Sequence, residues 1–348
     1  MHATSIHDAA ATENRDADEI VVHAAQSDFG RDLLRGFEDS PKNISPKYFY
    51  DAAGSALFDR ICELPEYYPA RTELDILTRN AAAIADQIGG QAEIVEFGAG
   101  SLTKIRLLLD AFGRFDAPSR YLPIDISEVH LNRAVERLRA DYPHVDVGPI
   151  VGDYTLPLEL PPRVTPHTNR VGFFPGSTIG NFSPEEALGF LQLAARMLRG
   201  GGLLIGVDLV KEPARLHAAY NDAQGVTAEF NLNVLHRANR ELGCDFDVGA
   251  FSHYAFYNTL LQRIEMHLVS RRRQSVRVGE TTFDVDEGET IHTENSHKFT
   301  IDGFRALASR AGFRPGPVWT DDERLFSVHW LHAPTHTLRA PAHDRASK

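Results

Sequence analysis

Ala92-Glu93-Ile94-Val95-Glu96-Phe97-Gly98-Ala99-Gly100-Ser101 decides the fold of this chain. The run Ala92–Glu96 reads as a short buried strand, and Gly98 and Gly100 follow it at once. Glycine accepts a sharp strand-to-helix turn and lets backbone approach a ligand closely. Helical spacing then resumes over Thr103–Phe112, so the stretch is strand, turn, helix. The same rhythm continues downstream. Tyr121–Ile126, Val145–Val151, Val171–Phe174 and Leu203–Leu209 read as strands, with helices over Glu128–Ala140 and Pro184–Leu198. The last helix has Ser183 as its cap, Pro184 at its first position and Gly200–Gly202 beyond its end, the expected start and stop signals. Strands alternating with helices at this spacing predict βαβ units and a parallel sheet, an α/β fold of Rossmann type.

On either side the rhythm changes. Residues 20–76 are helical and aromatic, with Phe29, Leu33, Leu34 and Phe37 at helical spacing, then an extended stretch around Pro41 and Pro46. Between Pro213 and Asn295 two helices, Ala214–Tyr220 and Val226–Glu241, precede β-branched, alternating segments at Gln262–Ser270, Ser275–Val278 and Thr281–Val285. These read as an inserted α+β unit. A helix over Ile301–Ala311 and strands at Val318–Asp321 and Phe326–His332 follow, the strands placed to close the sheet in antiparallel fashion. The expected division is therefore a sheet domain over 77–211 and 298–333, and a substrate-binding domain over 20–76 and 212–297. Residues 1–19 and 334–348 are expected to be disordered tails, since they lack the apolar content to fold.

Composition excludes several classes. The chain has 348 residues, with 48 acidic against 36 basic ones and a formal charge of -12, which does not suit a nucleic-acid backbone. The one dense basic run, Arg271-Arg272-Arg273, reads as a solvated turn between strands. Two cysteines, Cys62 and Cys244, are too few for a disulfide framework and lack CxxC spacing, so the expected location is a reducing cytoplasm. No segment approaches the roughly 18 apolar residues of a membrane helix. No metal site is expected. HExxH is absent, and His329 and His332 lie on a predicted strand with their side chains on opposite faces. Neither GxSxG nor the phosphate loop GxxxxGK[ST] occurs.

What remains is a nucleoside site at the strand ends. Asp125, 27 residues after Gly98, ends the second strand and can accept both hydroxyls of a ribose. Asp153 and Tyr154 follow the third, a carboxylate for an adenine amino group beside a ring to stack on it. The dinucleotide fingerprint GxGxxG/A is broken by Thr103 at its sixth position, which argues against a nicotinamide enzyme.

This set resembles the Rossmann-type S-adenosylmethionine-dependent methyltransferases. Four further motifs narrow the likeness: Ser45–Asp51 (SPKYFYD), Leu64–Glu73 (LPEYYPARTE), Pro175–Asn181 (PGSTIGN) and Gly206–Lys211 (GVDLVK). Together they resemble the histidine-specific Nα-methyltransferases of ergothioneine biosynthesis, over residues 42–333. The resemblance implies a methyltransferase sheet with antiparallel closing strands, and an α+β domain that binds the substrate. It implies that Gly98, Lys104, Asp125, Asp153 and Tyr154 surround S-adenosylmethionine, with Lys104 on the methionine carboxylate. Tyr67, Asn181 and Tyr220 are the implied contacts to the amino acid, and Tyr50 lies near the reacting amine. Glu294 and Ser296 are implied to hydrogen-bond the substrate imidazole, with Met266 packed against the ring. On an extended segment two residues at i and i+2 point the same way, so joint contact with one ring is feasible.

The implied reaction is three successive methylations of the α-amino group of L-histidine, giving hercynine. Tyr50 is the expected catalytic residue, orienting the amine and passing its proton out, with Tyr50 and Phe58 able to hold the growing cation by cation–π contact. The expected partner is a small amino acid, with no nucleic acid, membrane or second subunit. Two other functions remain open on the sequence: methylation of tryptophan or a related amine, and cofactor binding without catalysis.

Overall fold

The computed structural model describes residues 27–112 and 116–335. Both expected tails lie outside the described residues, apart from Pro334 and Thr335. In chain order the elements are α1 (Asp28–Glu38), α2 (Ala52–Glu63), α3 (Tyr68–Ile88), β1 (Glu93–Phe97), α4 (Thr103–Ala111), β2 (Arg120–Asp125), α5 (Glu128–Asp141), β3 (Asp146–Val147), β4 (Ile150–Val151), β5 (Arg170–Phe174), α6 (Pro184–Met197) and β6 (Gly202–Asp208). Then come α7 (Pro213–Tyr220), α8 (Val226–Leu242), β7 (Phe251–Asn258), β8 (Arg263–Ser270), β9 (Gln274–Val278), β10 (Thr281–Val285), β11 (Thr290–His297), α9 (Ile301–Arg310), β12 (Arg314–Thr320) and β13 (Phe326–His332).

The chain divides into two compact units. One comprises, of the described residues, those in Tyr67–Glu212, Thr259–Arg263 and 296–335. Its sheet has the order β12-β13-β6-β5-β1-β2-β3, with β4 also on β2. Strands β6, β5, β1 and β2 pair in parallel, and β13 closes the sheet antiparallel to β6. The mostly parallel sheet with an antiparallel closing pair is the α/β architecture expected. Every residue of β1, β5 and β6 is buried, as a sheet covered on both faces requires. Ile94, Tyr121, Phe173 and Leu204 pack on one face with α3, α4 and α5. Val95, Leu122, Phe174 and Ile205 pack on the other with α6 and α9. Chain order reverses between β1 and β5, so the switch point of the sheet, where open α/β folds bind ligands, lies between those two strands.

Two details depart from the sequence reading. Val145–Val151 is not one strand: β3 and β4 each pair with β2, broken at Gly148-Pro149. Proline has no N–H for the ladder, so the strand must interrupt there. The expected boundary at residue 76 falls inside α3, whose Ile76, Leu77, Ile84 and Ile88 belong to the core of the sheet unit. That unit begins at Tyr67.

The other unit comprises, of the described residues, 27–66, Pro213–Asn258 and Ile264–Asn295. It has a three-stranded sheet, β11-β8-β7, and a two-stranded one, β10-β9. Asn231 of α8 is fully buried and ties three strands together. Its amide donates to the His267 carbonyl at 3.1 Å and contacts His253 Nδ1 at 2.9 Å, and its oxygen accepts from Thr293 at 2.7 Å. Near the N-terminal end, Gly54 has no room for a side chain. A Cβ there would lie 1.7 Å from the Phe49 carbonyl, so α2 seats directly on the preceding turn. The Arg271–Arg273 turn is exposed and paired locally, with Arg273 on Asp284 at 3.0 Å.

Candidate functional site

In the sheet unit the site is built at the carboxyl ends of β1, β2, β4 and β5. Gly98 takes φ of 69°, and its amide donates to the Ile124 carbonyl at 2.9 Å. A Cβ on Gly98 would stand 3.3 Å from the Tyr154 ring, so this glycine serves both the turn and a close approach. Asp125 binds the turn itself. One of its oxygens accepts from the Gly100 amide at 3.0 Å, the other from the Ser127 amide at 2.9 Å. A carboxylate has about four lone-pair sites, so two backbone bonds leave capacity for ribose hydroxyls. Asp153 accepts from Thr155 through one oxygen. The Tyr154 ring packs edge-on against Phe174 at 5.6 Å and near Phe97 and Phe190, and burial holds its phenol protonated far above neutrality. The structure therefore brings Gly98, Asp125 and Tyr154 together. A flat, apolar wall beside a glycine turn fits the adenosine end of a nucleoside cofactor.

Lys104 has a partner the sequence did not suggest. Its ammonium donates to Glu73, whose two oxygens also accept from the Gly176 amide at 2.9 and 2.8 Å. Gly176, at φ of 82°, opens the Pro175–Asn181 segment after β5. The lysine thus anchors one lip of the switch point. Asn181 ends the 3-10 turn of this segment and is half-buried, as is Tyr67 at the start of α3. Gly180 lies against the chain at His297, where a Cβ would come 2.7 Å from the carbonyl oxygen.

Sequence reasoning missed two buried features here. Glu96, on β1, accepts a hydrogen bond from the Tyr121 hydroxyl at 2.5 Å, and burial raises its pKa to about 8. The second is Asp208, 1% exposed at the end of β6. It accepts from the Tyr68 hydroxyl at 2.7 Å and pairs with Lys211 at 2.5 Å and Lys298 at 2.8 Å. Its backbone amide donates to Ser177 Oγ at 2.8 Å. Burial lowers the Lys211 pKa to about 8, while the two ammonium groups hold Asp208 below the usual carboxylate range against the opposing cost of its own burial. The signal was present in Gly206–Lys211, where an Asp and a Lys interrupt an apolar strand end. Lys298 also donates to Ser296 Oγ at 2.7 Å, so one of the predicted substrate contacts is joined to this network.

In the other unit, Tyr50 follows the turn Pro46–Phe49 and packs edge-on against Phe58 at 5.6 Å and Phe230 at 5.8 Å. The structure does bring Tyr50 and Phe58 together, with Phe230 as a third ring. Tyr220 is buried at the end of α7, where its carbonyl contacts His253 Nε2 at 2.8 Å. Met266 is buried on β8, the neighbour of β11, and its carbonyl accepts from Thr293, the residue before Glu294, at 3.1 Å. Glu294 is 8% exposed on β11, the strand that also carries Ser296. Among the described residues, Glu265, His267 and His292 bring donor atoms within 4.8 Å of one another. Glu265 takes Asn258 at 3.0 Å and His267 at 3.3 Å, and His292 Nε2 contacts the Glu294 carbonyl at 3.1 Å.

A doubly covered parallel sheet, a glycine turn at its switch point, and carboxylates on two successive strand ends define the class of Rossmann-type S-adenosylmethionine-dependent methyltransferases. Within that class, the family model described as "Histidine-specific methyltransferase, SAM-dependent" matches residues 29–333, and the chain belongs to that family. It is 43% identical over 316 residues to a histidine N-alpha-methyltransferase of Mycolicibacterium smegmatis, covering 90% of this chain and 97% of that one. It is 30% identical to ergothioneine biosynthesis protein 1 of Neurospora crassa, covering 89% of this chain and 36% of that longer one. Likeness falls to 27% for a 4-dimethylallyltryptophan N-methyltransferase of Claviceps purpurea, over 83% of this chain and 90% of that one.

Proposed function

We propose that this chain trimethylates the α-amino group of L-histidine to hercynine, the first step of ergothioneine biosynthesis, with S-adenosylmethionine as methyl donor. One observation carries the substrate choice. Glu294, almost fully buried, and Ser296, held by Lys298, stand two residues apart on a single strand. A buried carboxylate beside a hydroxyl suits a ring with one N–H and one nitrogen lone pair. An indole has no second nitrogen and would leave Ser296 unmatched, the kind of loss that rejects an analogue strongly.

Gly98, Asp125, Asp153 and Tyr154 hold the cofactor in this reading, with Lys104 at its carboxylate end. Bound S-adenosylmethionine supplies a methyl group already activated on a sulfonium. The protein then has to position the amine and keep it neutral. Asn181, Tyr67 and Tyr220 take the amino-acid carboxylate and α-carbon region, offering an amide donor and two phenols. Tyr50 orients the amine and takes part in passing its proton outward. Tyr50, Phe58 and Phe230 present ring faces and edges suited to a nitrogen that becomes a permanent cation. We place the enzyme in the cytoplasm and expect it to act as a single chain.

Incubation with S-adenosylmethionine and each amino acid in turn, read by mass, should give a gain of three methyl groups on histidine alone. In the same assay Glu294→Ala should raise the histidine KM by tenfold or more, while S-adenosylhomocysteine affinity stays within about twofold. Robust methylation of tryptophan instead of histidine would overturn the substrate. Equal losses for both ligands would make Glu294 a structural residue.

A further inference from the structure

We infer that Glu73 is a positioning residue for both ligands: one buried carboxylate sets Lys104 at the cofactor end of the site and the Pro175–Asn181 turn at the amino-acid end. The inference rests on the proposed roles of Lys104 and Asn181, and adds the group through which the two are placed.

Glu73 lies on α3 and is 1% exposed. Its carboxylate rests on the backbone of β6, where a Cβ at Gly206 would stand 1.9 Å from Oε1. A side chain at 206 would push the carboxylate away, so the strand carries a glycine where the acid meets it. The same carboxylate joins two further elements. The Gly176 amide donates to its two oxygens, at 2.9 and 2.8 Å, and Lys104 of α4 donates to Oε2. These partners are themselves adjacent, since a Cβ on Gly176 would lie 3.5 Å from the Lys104 ammonium.

The turn needs such a fixed point. Gly176 and Ser177 take φ of 82° and 57° in succession, and a serine in the left-handed region is disfavoured. Backbone of this kind persists where its surroundings over-determine it. Here Glu73 holds the Gly176 amide, and Ser177 Oγ accepts from the Asp208 amide of β6 at 2.8 Å. The 3-10 turn Thr178–Asn181 starts at the next residue, so these two bonds set where Asn181 lies. Lys104 carries its ammonium on a flexible four-carbon stem, and the ion pair with Glu73 selects one placement of it. Glu96 of β1 also lies in the field of both charges, so pairwise substitution is what isolates the Glu73 share.

The test measures S-adenosylhomocysteine affinity by calorimetry and L-histidine KM by turnover. It uses Glu73→Gln, Glu73→Ala, Lys104→Gln and the double variant Glu73→Gln/Lys104→Gln. Glutamine keeps one oxygen for the Gly176 amide but cannot pair with an ammonium as a carboxylate does. Glu73→Gln should therefore weaken S-adenosylhomocysteine about tenfold, the value of one charge-assisted hydrogen bond, with histidine KM within about twofold. Glu73→Ala releases the turn as well and should weaken both ligands by about tenfold or more. The double variant should bind S-adenosylhomocysteine no more weakly than Lys104→Gln, because Glu73 acts on the cofactor through Lys104. Unchanged affinity in Glu73→Gln, equal losses for both ligands in it, or additive losses in the double variant would each overturn the inference. Urea unfolding reports whether Glu73→Ala is folded; if it is not, the glutamine variants decide alone. Wild type that methylates another amine in place of histidine would instead sink the substrate reading, and the cofactor measurements still decide the role of Glu73.

Discussion

Glu96 shows how one buried side chain couples stability to pH. It sits at the end of β1, and burial raises its pKa from 4.5 to about 8. The folded state thus holds a proton that the unfolded chain releases above pH 4.5. Its stabilising share is full below that value and is lost as pH rises through about 8. Replacing it by glutamine keeps an oxygen to accept from Tyr121 and removes the titration. Urea unfolding of wild type and Glu96→Gln should therefore diverge with pH: relative to the variant, wild type loses stability between pH 5 and 8, by up to about 1 kcal/mol per unit. A parallel pair of curves would mean that Glu96 is ionised in the folded protein across this range. Nothing in the sequence announced this residue. Glu96 precedes the glycines on an alternating run, and only the structure shows that the sheet is covered on both faces there. The place of Asp125 at a strand end beside the glycine turn was legible; the Gly100 and Ser127 amides that it accepts from were not. Lys104 was half legible. Its helix position was readable, but Glu73, 31 residues earlier, was not a partner that local spacing could supply.

At the scale of elements, boundary signals were good wherever the chemistry was local. Ser183 caps α6 with a complete capping box: its side chain accepts from the Glu186 amide, and Glu186 reaches back to the Ser183 amide. Ser183→Ala should lower unfolding free energy by about 1 kcal/mol, with methyl transfer unchanged, as equilibrium denaturation and a turnover assay would show. No change in stability would mean the cap is redundant with the packing of Phe190 and Leu191. Elements defined by distant partners were harder. β7 (Phe251–Asn258) was not anticipated, and β11 was seen only as an extended segment around Glu294. Their strand character comes from pairing with β8 and from the Asn231 bonds, which no short window contains. The single strand expected at Val145–Val151 failed for the opposite reason. Its apolar content was right, and Pro149 broke the ladder.

For the whole molecule, the two compact units make ligand protection a spatial readout. Cofactor binding should slow amide exchange at the ends of β1, β2, β4 and β5, near 97–104, 125–127, 152–155 and 175–181. Hydrogen exchange with and without S-adenosylhomocysteine tests this, and protection absent from all four segments would contradict the proposed cofactor contacts. The opening and closing of the sheet were readable from sequence. The unit boundaries were not, because α3 continues a helical, aromatic stretch without any break in composition. Only the burial of Ile76, Leu77, Ile84 and Ile88 assigns it to the sheet unit.

The path of the chain has a consequence for how the protein is made. It passes from one unit to the other at Glu66, Glu212, Asn258, Arg263 and Asn295. The early helices belong with strands synthesised more than 200 residues later: Asn43 bridges to His292, and Lys42 pairs with Glu289. On the ribosome the first segment must wait, without these native neighbours, until synthesis has passed His292. No continuous stretch of the gene encodes either unit. Exchange of one continuous DNA segment between relatives therefore cannot transplant either unit intact.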